Sequence, residues 1–106
     1  MNITNLTAEE AKEKIDSSQV VVVDVRTPEE YSKAKISGSI SLPLDQLDQK
    51  AETVLVDKNQ PVMVYCLSGS RSQAAANILS KKGYQTIYNL THGLMEWRLK
   101  QMPLIN

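Results

Sequence analysis

The chain has 106 residues and a mass of 11.8 kDa, which is room for one small domain and not for two. Apolar residues at 42% and charged residues at 23% suit a soluble globular protein and exclude intrinsic disorder. Twelve basic and twelve acidic side chains cancel, which argues against binding nucleic acid or a membrane surface by bulk charge.

In chain order, Thr7-Ala8-Glu9-Glu10 reads as a capping box. It opens a helix that runs to about Asp16, with Ala11, Ile15 and the flanking Leu6 as candidates for its buried side. Val20 to Val23 form an unbroken β-branched run, the pattern of a strand covered on both faces, continued by Asp24-Val25-Arg26 to the sheet edge. Thr27-Pro28-Glu29-Glu30 starts a second, short helix: a capping Thr, Pro at the first helical position, and Glu three residues after the Thr. Ser39 to Leu42 is a short strand stopped by Pro43. Leu44 to Leu55 carries apolar residues at helical spacing (44, 47, 51, 54 and 55). Pro61 to Cys66 is a second buried strand, broken by Ser68 to Ser72. Ser72 to Leu79 is a strong helix former with Gly83 as its cap. Thr86 to Leu90 reads as a strand. Gly93 to Lys100 reads as a last helix, with Leu94, Trp97 and a further candidate, Met95, facing inward. The alternation predicts a single α/β domain over residues 1–106, a mainly parallel four- to five-stranded sheet with helices on both faces.

One cysteine forms no internal disulfide, and with one histidine it is too little for a dedicated zinc site; no metal and no organic cofactor is expected. The polar opening MNITNLTAEE and the lack of any apolar run near 18 residues predict neither signal peptide nor membrane span, so the expected setting is a reducing cytoplasm. The charge is split. Residues 1–50 sum to −3 and residues 51–106 to +3, and Cys66 lies in the positive half.

Ligands of open parallel sheets bind beyond the carboxyl ends of the strands. One such place stands out: strand, then Cys66-Leu67-Ser68-Gly69-Ser70-Arg71-Ser72, then helix. A helix start leaves backbone N–H groups unpaired and carries partial positive charge. Gly69 lets the loop curl so that such groups converge into an anion-binding cup. A cysteine at its base is stabilised as the thiolate, the nucleophilic form. Arg71 adds a fixed cation able to hold an oxyanion through two parallel hydrogen bonds. Ser68, Ser70 and Ser72 add small hydroxyls. A lone Cys closing a buried strand is often an inert small hydrophobe. A Gly, three Ser and an Arg set directly before a helix start favour the reactive reading.

These residues resemble a single-domain rhodanese, a sulfurtransferase module. Val22 to Tyr31, followed by Ile36-Ser37-Gly38-Ser39-Ile40 and Leu42-Pro43, is similar to the family's amino-terminal signature. Tyr65 to Ser72 is similar to its active-site loop, and Tyr88-Asn89-Leu90 with Gly93 and Trp97 to its carboxyl-terminal signature. The resemblance implies that Cys66 takes a sulfane sulfur from a small anionic donor such as thiosulfate, becomes a persulfide, and passes the sulfur to cyanide or a thiol, with a protein donor or acceptor as an option. It implies that the amides of Leu67 to Ser72 cradle the anion and the persulfide. Arg71 would orient the donor or brace the loop. Asp24, Arg26 and Glu30 would form a structural polar network nearby. The chain departs from the pattern at Ala34-Lys35-Ile36, where the family often has Gly-His, and at His92-Gly93, where it often has two glycines. His92, the only histidine, reads as an exposed loop residue.

Two other readings compete. Phosphatases and arsenate reductases on the same scaffold place five residues between Cys and Arg, whereas here Leu67 to Ser70 make four. The shorter loop makes a tighter cup, suited to a sulfur rather than to the three equatorial oxygens of a phosphoryl group. The second is a non-turnover persulfide carrier or regulatory module that acts only when docked to a partner. Trp97 reads as core, and the run from Glu9 to Lys14 as a solvated helix face.

Overall fold

The chain alternates strand and helix throughout: β1 (Ile3–Leu6), α1 (Ala8–Asp16), β2 (Val21–Asp24), α2 (Pro28–Lys33), β3 (Ile40–Ser41), α3 (Leu44–Val54), β4 (Val62–Tyr65), α4 (Ser70–Lys81), β5 (Ile87–Leu90) and α5 (Gly93–Leu99). A computed structural model describes residues 2–106. The strands form one parallel sheet in the order β1-β5-β4-β2-β3. Val21 to Asp24 pair in register with Val62 to Tyr65, and Val62 to Val64 with Ile87 to Asn89.

Strand alternation sorts the core into two layers. Val23, Val62, Val64 and Cys66 point to the side covered by Leu47 and Ala51 of α3 and Ala75, Ala76 and Leu79 of α4. Val22, Met63 and Tyr65 point to the other side, under Ala8 and Ala11 of α1 and Leu94 and Trp97 of α5. Both faces of β4 are therefore buried, as its unbroken apolar run requires.

Both capping boxes form. The Thr7 hydroxyl accepts from the Glu10 N–H while the Glu10 carboxylate accepts from the Thr7 N–H, and Thr27 and Glu30 repeat the arrangement. The structure corrects several finer expectations. Ile3 to Leu6 is an edge strand on β5, so Leu6 enters the core from β1 and not from the face of α1. Helix α4 starts at Ser70, two residues earlier than expected. Met95 is 60% exposed and Val54 42% exposed, so neither joins the core. Among the described residues no helix is long and apolar enough to cross a membrane.

Two features aim the carboxyl ends of the strands at one crevice. The chain leaves β2 toward β3 at one edge and leaves β4 toward β5 on the other side, so the connections diverge between β2 and β4. The segments after β2 and after β4, Val25 to Glu30 and Cys66 to Arg71, face each other there, joined across the gap by an Arg71–Glu30 ion pair.

Candidate active site

Cys66 follows β4 directly and is fully buried. Its Sγ accepts the Gly69 N–H at 3.1 Å and the Ser72 N–H at 3.4 Å. The Ser72 hydroxyl lies 3.5 Å from the sulfur and donates to the Gly69 carbonyl at 3.1 Å. Ser72 is the third residue of α4, and the helix has no side-chain cap because its N-cap residue is Gly69. The sulfur fills that place: it accepts the amide that a capping oxygen would ordinarily take. It also sits at the positive end of a 12-residue helix.

Burial among Val64, Ala75 and their neighbours pushes the Cys66 thiol up. Hydrogen bonds from the Ser72 side chain and from the amides of Ser72, Gly69 and Ser68 outweigh it, so the thiol titrates below its ordinary value. The sulfur thus has one apolar side and one side of aimed donors. Of the six loop residues expected to cradle an anion, Gly69 and Ser72 put their amides within hydrogen-bonding distance of Sγ. Ser68 and Ser70 are exposed, and Leu67 packs half-buried against the core on the α5 side.

The loop is clamped from outside by the start of α5. The Leu94 N–H donates to the Cys66 carbonyl and the Met95 N–H to the Leu67 carbonyl, both at 3.0 Å. Those bonds turn the loop carbonyls away from the cup. Gly93 makes this approach possible: a Cβ there would lie 2.4 Å from the Leu67 oxygen, and its φ is +59°. Gly69 is pressed more closely still against the Thr91 carbonyl, at φ +110°. The role of Gly93 was not expected from sequence beyond its place in a signature.

Arg71 is not turned onto the sulfur. Its two terminal nitrogens donate to the Glu30 carboxylate at 2.7 and 3.1 Å, a two-pronged pair that ties α4 to α2. The Arg71 guanidinium, helped by Thr27, holds the Glu30 carboxyl down at about 2. The expected Asp24–Arg26–Glu30 network divides in two. Asp24 accepts the Arg26 side chain at 2.7 to 3.1 Å in a buried pair, Arg26 also donates to the Ala34 carbonyl, and Glu30 belongs to Arg71. Lys35 lies over the Tyr31 ring, and its backbone bridges to Ile105. His92 is exposed at the N-cap of α5. Beside the loop lies a cleft of about 430 Å³ with Val25, Pro28, Pro43, Leu44 and Arg71 in its walls.

The Rhodanese-like domain family matches residues 7–100. The chain belongs to that family. It is 33% identical over 97 residues to a putative sulfur carrier protein, YrkF of Bacillus subtilis, covering 91% of this chain and 51% of the relative. It is 40% identical over 67 residues to the thiosulfate sulfurtransferase PspE of Escherichia coli, covering 63% of this chain and 64% of the relative. The chain thus spans between half and two thirds of the length of these relatives. A rhodanese-related protein of Thermoplasma volcanium superposes with a TM-score of 0.85 at 27% identity, over 96% of this chain and 97% of that one. The rhodanese resemblance and the mainly parallel α/β fold are borne out, with the sheet at five strands.

Proposed function

We propose that this rhodanese-like domain is a sulfurtransferase that carries a sulfane sulfur on Cys66. The observation that carries the reading is the sulfur in the capping position of α4, held by the Gly69 and Ser72 amides. A thiolate there attacks the outer sulfur of a donor such as thiosulfate. The new bond joins Sγ to that sulfur, the donor's S–S bond breaks, and its electron pair leaves with sulfite. The product is an enzyme persulfide anion. The amides and the helix dipole that favoured the thiolate favour this anion as well. A cyanide or thiolate acceptor then attacks the outer sulfur, and Cys66 departs as the thiolate. Neither half needs a general base once the thiol is ionised. The four-residue spacing of the loop supports sulfur over phosphoryl chemistry, and the free thiol supports a reducing, cytoplasmic setting.

A carrier that transfers sulfur only to a docked protein is the second reading. It is favoured by the name of the Bacillus relative and by the full burial of the thiol. Intact mass after incubation with thiosulfate tests both. A gain of one sulfur that is lost on adding cyanide supports a persulfide in both readings, and negligible thiosulfate turnover while Cys66 still takes sulfur from a protein donor supports the carrier. Cys66→Ser must abolish the gain. Uptake of sulfur by that variant, or no uptake by wild type from any donor, refutes the proposal.

A further inference from the structure

The Arg71 guanidinium, the cation carried by the Cys66 loop, is neutralised before any donor arrives. Both terminal nitrogens of Arg71 are committed to Glu30, and Glu30 is fixed in turn by the Thr27 amide and hydroxyl at 3.1 Å. Glu30 therefore does two jobs. It closes the capping box of α2, and it cancels the charge of Arg71 at the mouth of the cup. An inorganic dianion approaching a thiolate there meets the amides but no net positive side chain. Next to Arg71 lies the cleft whose walls include Val25, Pro28, Pro43 and Leu44, with room for organic atoms that thiosulfate lacks.

We infer that Glu30 is a specificity-determining residue, which disfavours inorganic dianionic donors relative to organic persulfides carrying a single negative charge. The inference rests on the sulfurtransferase reading and refines its donor. In the favoured reaction the Cys66 thiolate attacks the outer sulfur of R–S–S⁻. A new S–S bond forms to Cys66, the donor's S–S bond breaks, and the electron pair leaves on R–S⁻. One persulfide anion and one thiolate stand on each side of the equation. Glu30 touches neither sulfur; it acts through Arg71.

Glu30→Gln is the test. Gln serves equally at the third position of a capping box, so α2 keeps its start while Arg71 regains its charge. Persulfide formation on Cys66 is followed by mass for wild type and variant, with two probes. One is thiosulfate. The other is the persulfide of N-acetylcysteine amide, whose single charge is on its terminal sulfur. Coulomb attraction of one freed cation for a dianion at about 6 Å in water predicts about a tenfold faster reaction with thiosulfate. The organic persulfide should gain about threefold or less. The thiosulfate gain should shrink as salt rises toward ~0.5 M, because exposed charges are then screened within a few ångströms. A role confined to capping or bracing would move both donors together and would not respond to salt. Equal changes for the two donors, or an unchanged or slower thiosulfate reaction, overturn the inference. Failure of the underlying reading looks different: wild type would take sulfur from neither probe.

Discussion

Replacing Ser72 by Ala removes one of the four groups that lower the thiol's titration and leaves the three backbone amides. The Ser72 hydroxyl lies 3.5 Å from Sγ, and once the thiol proton has left it is placed to donate to the anion. A hydrogen bond to a charged group contributes about 1.5–3 kcal/mol. The length of this contact, and the rival Gly69 carbonyl at 3.1 Å, place it at or below the low end. A loss of about 1.4 kcal/mol corresponds to about one pKa unit. The thiol of Ser72→Ala should therefore titrate about one unit higher than that of wild type. The amides of Gly69 and Ser72 remain and continue to oppose the burial that pushes the thiol up. The assay is the rate of alkylation by iodoacetamide as a function of pH. Stability should fall by only about 1 kcal/mol, because the Gly69 carbonyl keeps the Gln73 N–H at 3.0 Å. An unmoved or lowered alkylation midpoint, in a variant that melts normally, would refute the claim that aimed hydrogen bonds set the thiol's acidity.

Two more predictions concern the frame of the site. Gly93→Ala should destabilise the domain by at least about 2 kcal/mol, read from denaturant melts, since the new methyl meets the Leu67 backbone at 2.4 Å and the φ is positive. It should also raise the Cys66 alkylation midpoint, because the clamp on the loop carbonyls is displaced. The Glu30 carboxyl is lowered in the folded state, from 4.5 to about 2. Its contribution to stability is therefore full above about pH 4.5 and disappears as the pH falls toward 2. The pair is about one-third exposed, so that contribution is about 1 kcal/mol or less. Glu30→Gln should flatten this part of the stability–pH curve and leave the curve near neutrality unchanged in slope.

What the sequence discloses and what it hides divide along a physical line. Local signals were readable. The two Thr-x-x-Glu boxes and the β-branched run before Asp24 act within a few residues and form as expected, whereas in the Cys-to-Arg loop the helix starts two residues early and Arg71 turns to Glu30. Strand β1 was hidden because two of its four residues, Thr4 and Asn5, are polar and exposed; it is a strand only because β5 lies beside it. The Arg71–Glu30 pair joins residues 41 apart, and nothing in either segment specifies the other. The need for Gly at 93 arises from a backbone approach made by a different element, and only the fold shows it. Met95 shares the helical spacing of inward residues, but its position on α5 turns it to solvent.

The clamp on the loop carries a lesson about timing. Leu94 and Met95, which grip the Cys66 and Leu67 carbonyls, come after α4 and β5, well downstream of the loop they hold. Chains emerge from the ribosome amino end first. A nascent chain therefore exposes its sulfur-bearing segment well before the last helix is free to shape it. A fragment ending before α5 lacks the bonds from Leu94 and Met95, so its Cys66 alkylation midpoint should lie above that of the full sequence.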